Sequence, residues 1–129
     1  MYGISRGVEN LPPGELSLTF GKDVSFLVTA GKNKRIFWFV FKKMDKKYEV
    51  PNIPRFSDED ATKQASDLLQ KKITDTVRFE NIWEKRISYT LVALEEALFK
   101  TWSWGRFACL GDSVHKVSRV SEIAPGSQN

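Results

Sequence analysis

Asp112 and His115 are the acid and the imidazole of which chemistry would first be asked in this chain. They follow the apolar run 106–110 across a Gly111-Asp112 step, the form taken by a strand end in a ligand-binding sheet, where ligands collect. A histidine titrates near neutrality and a partly buried aspartate is tuned upward, so the two suit general acid/base work. The blander alternative makes Asp112 a turn cap and His115 a surface side chain. Cys109 lies within the same apolar run and reads as an inert core thiol. A Cys109–His115 nucleophilic pair is disfavoured, because one residue sits in the strand and the other beyond the turn. Glu95 and Glu96 offer carboxylates to a pocket, or pair with Arg86 and Arg106. With one Cys and one His in the chain, a protein-built zinc site is not expected, and neither Gly-x-Gly-x-x-Gly nor a phosphate-loop lysine motif occurs.

The elements that must position these residues are mostly strands. Runs at 1–5, 16–20, 24–30 and 35–43 carry strand signals, with Leu16, Leu18 and Phe20 alternating against Ser17 and Thr19. A Gly31-Lys32-Asn33-Lys34 connection joins the third run to the fourth as a hairpin. The fourth, RIFWFVFKK, is the strongest. It puts Ile36, Trp38 and Val40 on one side and Phe37, Phe39 and Phe41 on the other. Both sides are apolar, so both must be covered. Helices supply one cover; the other needs a ligand, a second domain or a second subunit. Of the four tryptophans, Trp38 is the expected site residue, because its face has no evident cover.

Ser57, followed by Asp58, Glu59 and Asp60, reads as the N-cap of a helix over 57–71, with Ala61, Ala65, Leu68 and Leu69 on one stripe. A short helix over 79–86 is pinned by Phe79, Ile82 and Trp83, and a further strand covers 87–94. The expected fold is α+β, an antiparallel or mixed sheet with two helices on one face, forming a single domain over 1–118. A flexible tail is expected at 119–129, and the stretch 91–118 reads as the centre of organisation.

A length of 129 residues with 41% hydrophobic content suffices for one core. The net charge of +4 is ordinary, and the one basic cluster, Lys42, Lys43, Lys46 and Lys47, reads as a solvated hairpin end. Nucleic acid is therefore not an expected partner. A single cysteine fits a reducing compartment. No apolar run approaches the ~20 residues of a membrane span and no signal-peptide pattern opens the chain, so a cytoplasmic protein without a membrane partner is expected.

Three runs, GKNKRIFWFVFKKMDKKYEVPNIPRFSDEDA, VRFENIWEKR and ALEEALFKTWSWGRFACLGDSVHKVS, closely resemble fungal FAD-dependent monooxygenases, nearest the epoxidases of paxilline and meroterpenoid pathways that act on prenyl chains. The resemblance spans most of the chain, to about residue 118. It implies the substrate-binding sheet domain of aromatic-hydroxylase-type flavoproteins, with Asp112 at the position that contacts the flavin ribityl chain. By likeness to related hydroxylases, it also implies that Phe26, Val28, Ile36, Trp38 and Val40 face substrate while Phe37, Phe39 and Phe41 pack under the helices. Two departures stand out. The family's dinucleotide fold, with its glycine-rich turn, has no counterpart here. Where the family continues Gly-Asp-Ser-x-His-Lys into Thr-Pro-Asn and a glycine-rich loop, this chain reads Val117-Ser118-Arg119-Val120-Ser121-Glu122.

These departures lead to an expectation of no FAD binding, no cofactor of any kind and no monooxygenase activity. The function expected in their place is cofactor-independent cyclisation or isomerisation of a terpenoid or meroterpenoid, by a homodimer with Asp112 or His115 carrying protons. The alternatives are a non-catalytic pseudoenzyme paired with a full-length monooxygenase, and a fragment of such an enzyme.

Overall fold

Arg35–Lys42, here β4, is the middle strand of a five-stranded antiparallel sheet in the computed structural model, which describes residues 1–116. The other strands are β1 (Tyr2–Arg6), β2 (Leu16–Phe20), β3 (Val24–Ala30) and β5 (Arg86–Thr90), in the spatial order β2-β3-β4-β1-β5. β-Branched and aromatic residues fill β3 and β4, the residue types that fit a pleated surface. Met1 extends the ladder: its amino group donates to the Val40 carbonyl at 2.9 Å, and the Val40 N–H returns a bond to the Met1 carbonyl at 2.7 Å.

Two helices close one side of the sheet. α1 (Asp58–Ser66) begins in a capping box, where the Ser57 hydroxyl accepts from the Asp60 N–H at 3.2 Å and the Asp60 carboxylate accepts from the Ser57 N–H at 2.8 Å. It ends sooner than the expected 57–71. Thr62 and Ser66 hydroxyls bond the carbonyls four residues back, which weakens the later turns, and the chain tightens into three-residue turns through Leu68 and Lys71. α2 (Phe79–Glu84) stops at Lys85, whose carbonyl instead accepts from the Arg6 N–H at 3.0 Å. Between the helices and the sheet lies the core, which includes Phe26, Val28, Ile36, Trp38, Val40, Ala61, Ala65, Leu68, Phe79 and Ile82.

That packing corrects the expected orientation of the sheet. Phe26, Val28, Ile36, Trp38 and Val40 were expected to lie open for substrate, yet all are buried, Trp38 completely. The physical reason lies in β1 beside them. Gly3 is the register partner of Trp38, and a Cβ at Gly3 would collide with the indole ring and with the Ser88 carbonyl. The small Gly3 and Ser5 leave room for the indole between strand and helices, and Phe79 and Trp83 meet it edge-on at centroid distances of 5.5 and 6.1 Å. Phe37 and Phe39, expected under the helices, are the exposed ones.

The described residues belong to two compact units, Met1–Val92 and a second that starts at Ala93. In the second unit, β6 (Ala97–Leu98) pairs with β9 (His115–Lys116), and β7 (Ser103–Trp104) pairs with β8 (Phe107–Ala108) across Gly105-Arg106. Gly105 takes the left-handed conformation, φ +59°, that a two-residue hairpin requires. The buried strand expected over 106–110 is only these two residues of β8, and both are exposed. Cys109, expected as a core thiol, is exposed as well, because ladders this short present no second layer to bury it. The tail 119–129 lies outside the described residues. No described helix is long and apolar enough to cross a membrane.

Candidate functional site: the open face of the sheet

Opposite the helices, the five-stranded sheet presents a second apolar surface. Strand register places Tyr2 and Ile4 of β1, Phe37, Phe39 and Phe41 of β4, Leu27 of β3, and Leu16, Leu18 and Phe20 of β2 on this side. Tyr2, Phe20, Phe37 and Phe39 are between 36% and 44% exposed. The rings pack on one another: Phe39 and Phe41 stack at 6.1 Å with planes 8° apart, and Tyr2 lies 6.0 Å from Phe39. Tyr2, Phe39 and Phe41 are thus held by backbone ladders below and by one another above, at the centre of an apolar floor. A contiguous apolar patch of this kind marks an interaction surface.

Charge is distributed just as unevenly. None of the five strands contains an Asp or a Glu. A second feature lies along the outer strand β5, where Asp58, Arg86, Ile87, Ser88 and Tyr89 line a shallow groove of about 500 Å³. There the Arg86 guanidinium sits 4.2 Å from the Trp83 ring centroid and 5.4 Å from that of Tyr89, and donates to the Trp83 carbonyl at 2.9 Å. Arg86 is thereby committed to its own aromatic neighbours.

Asp112 and His115 fall in the second unit. Asp112 occupies a short 3₁₀ turn, Gly111–Ser113, with the Ser113 hydroxyl donating to the Leu110 carbonyl at 2.6 Å. His115 opens β9 opposite Leu98. Both side chains are exposed. Among the described residues no cluster of His, Cys, Asp or Glu is arranged to hold a metal.

The sequence reading left the Trp38 side of β4 open, whereas the structure leaves Phe37 and Phe39 exposed. The deciding signal was β2, whose apolar Leu16, Leu18 and Phe20 share a side with Phe37 and Phe39, while its polar Thr19 reaches the helical side and bonds the Ile73 carbonyl at 2.8 Å.

Comparison with known proteins gives this geometry a context. FAD-dependent monooxygenase dpfgE of Gibberella zeae is 41% identical over 118 residues, which cover 92% of this chain and 25% of that protein. FAD-dependent monooxygenase spyC of Aspergillus fumigatus is 42% identical over 118 residues, with the same coverage of 92% and 25%. The chain is a short homologue of fungal FAD-dependent monooxygenases. The homologue spans about a quarter of the length of these curated relatives; esdpE of Penicillium shearii is a third such monooxygenase, 43% identical over 92% of this chain and 24% of its own. No protein-family model matches the homologue, and no solved structure does.

The residues of the homologue can be tested against the flavin its relatives require. FAD brings a pyrophosphate, which proteins seat on a helix N-terminus behind a glycine-rich turn. Here α1 opens with Asp58, Glu59 and Asp60, three carboxylates that repel such a group, and α2 has only six residues. The described residues of the homologue do not fit a whole FAD.

Proposed function

We propose that the chain is the substrate-side module of a fungal FAD-dependent monooxygenase, related to the substrate domains of aromatic-hydroxylase-type flavoproteins. Its open sheet face forms an apolar wall against which a hydrophobic small molecule lies, and the flavin is held by residues other than those described. One observation carries this reading: a sheet closed by helices on one side keeps an exposed floor of Tyr2, Phe37 and Phe39 on the other. Apolar and aromatic, that floor positions a ligand by contact and excludes water from one side of it. No oxidation step is assigned to these residues alone. The cofactor-free cyclisation expected from the sequence relied on the Trp38 face being open. With Trp38 buried, Asp112 exposed on a turn and His115 exposed on β9, binding has more support than turnover.

Titration of the full chain with N-phenyl-1-naphthylamine, a neutral apolar fluorophore, tests this. Saturable binding is expected, weakened severalfold by the double substitution Phe37→Ser/Phe39→Ser while the melting temperature stays close to that of the parent. Binding that the double variant leaves unchanged would reject the open face as the wall.

A further inference from the structure

The open face is apolar along its length but not at its end. Arg6 closes β1 and Arg35 opens β4, and the two are register partners, directly opposite one another on the same side as Tyr2, Ile4, Phe37 and Phe39. Like charges directly opposite destabilise an antiparallel pair. Both side chains are exposed, and neither guanidinium makes an ion pair or side-chain hydrogen bond with a described residue. The next carbonyl along the chain, that of Gly7, accepts from Lys85 Nζ at 2.7 Å, and that lysine adds no negative charge here. With no acid in any of the five strands, nothing on the sheet itself neutralises this end.

We propose that the open face takes an elongated amphiphile, its hydrocarbon laid along β4 and its anionic head, a carboxylate or a phosphate, held between Arg6 and Arg35. The proposal rests on the reading of the open face as a ligand wall and adds the class of ligand. Guanidinium forks bind either oxyanion bidentately, and an anion placed between the two relieves their mutual repulsion. From Arg35 to Phe41 the floor runs about 20 Å at the rise of an antiparallel strand, long enough for an extended hydrocarbon chain. The Phe37 ring lies nearest the charged end; a Cβ on Gly31 would come within 3.0 Å of it, so a glycine keeps that approach open.

The experiment compares dodecyl phosphate, dodecanoate and dodecanol, each below its micelle concentration, by calorimetric titration of the full chain. At least one anionic ligand is expected to bind tenfold or more tightly than the alcohol, and the pair of anions tells phosphate from carboxylate recognition. Arg6→Gln/Arg35→Gln should erase that preference without shifting the melting temperature. Lys42→Gln, which removes a cation from the other side of the same strand, should leave the preference intact. Phe37→Ser/Phe39→Ser should weaken anion and alcohol alike. Equal affinity for alcohol and anions, with the aromatic variant still impaired, would overturn the ligand class and leave the apolar wall standing. No binding of any of the three would remove both. Retention of the preference in the double arginine variant, or binding only to phosphatidylserine vesicles, would also overturn the proposal.

Discussion

Trp38 carries a polar N–H into the middle of the core, and two residues satisfy it. Its Nε1 donates to the Ser5 hydroxyl at 2.9 Å, and that hydroxyl donates onward to the Ile82 carbonyl at 2.7 Å. The relay ties β4 to β1 and β1 to α2 with no atom left unpaired. Ser5→Ala strands the indole N–H and the Ile82 carbonyl together, so a loss of about 1–3 kcal/mol is expected in urea unfolding. Trp38→Ala also opens a cavity, and about 3–5 kcal/mol is expected there. The Met1 amino group is a second buried polar group, its pKa lowered to about 6 by loss of solvent. Between pH 6 and 8 the unfolded amine holds a proton that the folded one has released, so stability rises with pH across that window and falls as pH drops through it. Unfolding free energies at pH 5.5 and 8.5 should differ by no more than about 2–3 kcal/mol from this source. Acetylation of the amine should flatten the profile.

At the scale of elements, strand positions were legible in the sequence and the helical side was not. β2 and β3 fall where alternation and turn residues place them, and Ser57 caps α1 as its sequence suggests. Orientation was hidden because β4 is apolar on both sides, so its own pattern carries no direction. The answer lay in long-range partners, Gly3 against Trp38 and Ser5 against Ile82, which sequence spacing alone does not bring together. The short ladders of the second unit were over-read for a similar reason. An apolar run such as 106–110 signals a buried strand only where neighbours exist to cover it. Two element-level tests follow. Gly3→Ala pushes a methyl into the indole and the Ser88 carbonyl; the cost expected from overpacking is about 1–3 kcal/mol or more, read as a fall in melting temperature. Ser57→Ala removes the cap and should cost about 1 kcal/mol. The same Ser57 N–H and hydroxyl hold the Asp60 carboxyl below its ordinary range, so the carboxylate's share of the capping box is present at neutral pH and weakens as acid protonates Asp60.

Taken whole, the sheet unit divides into a sealed half and an open half, and the two respond differently to substitution. Changes on the sealed side act on stability, whereas Phe37→Ser or Phe39→Ser should shift it by little and act on ligand affinity instead. β2 adds a consequence of its own. It borders the sheet, its outward row is Leu16, Leu18 and Phe20, and no described strand pairs with its far side. Bare amides beside greasy side chains are a template for accretion. Turbidity on concentrating the protein should therefore begin at this border, and Leu18→Lys is expected to raise the concentration at which light scattering first climbs.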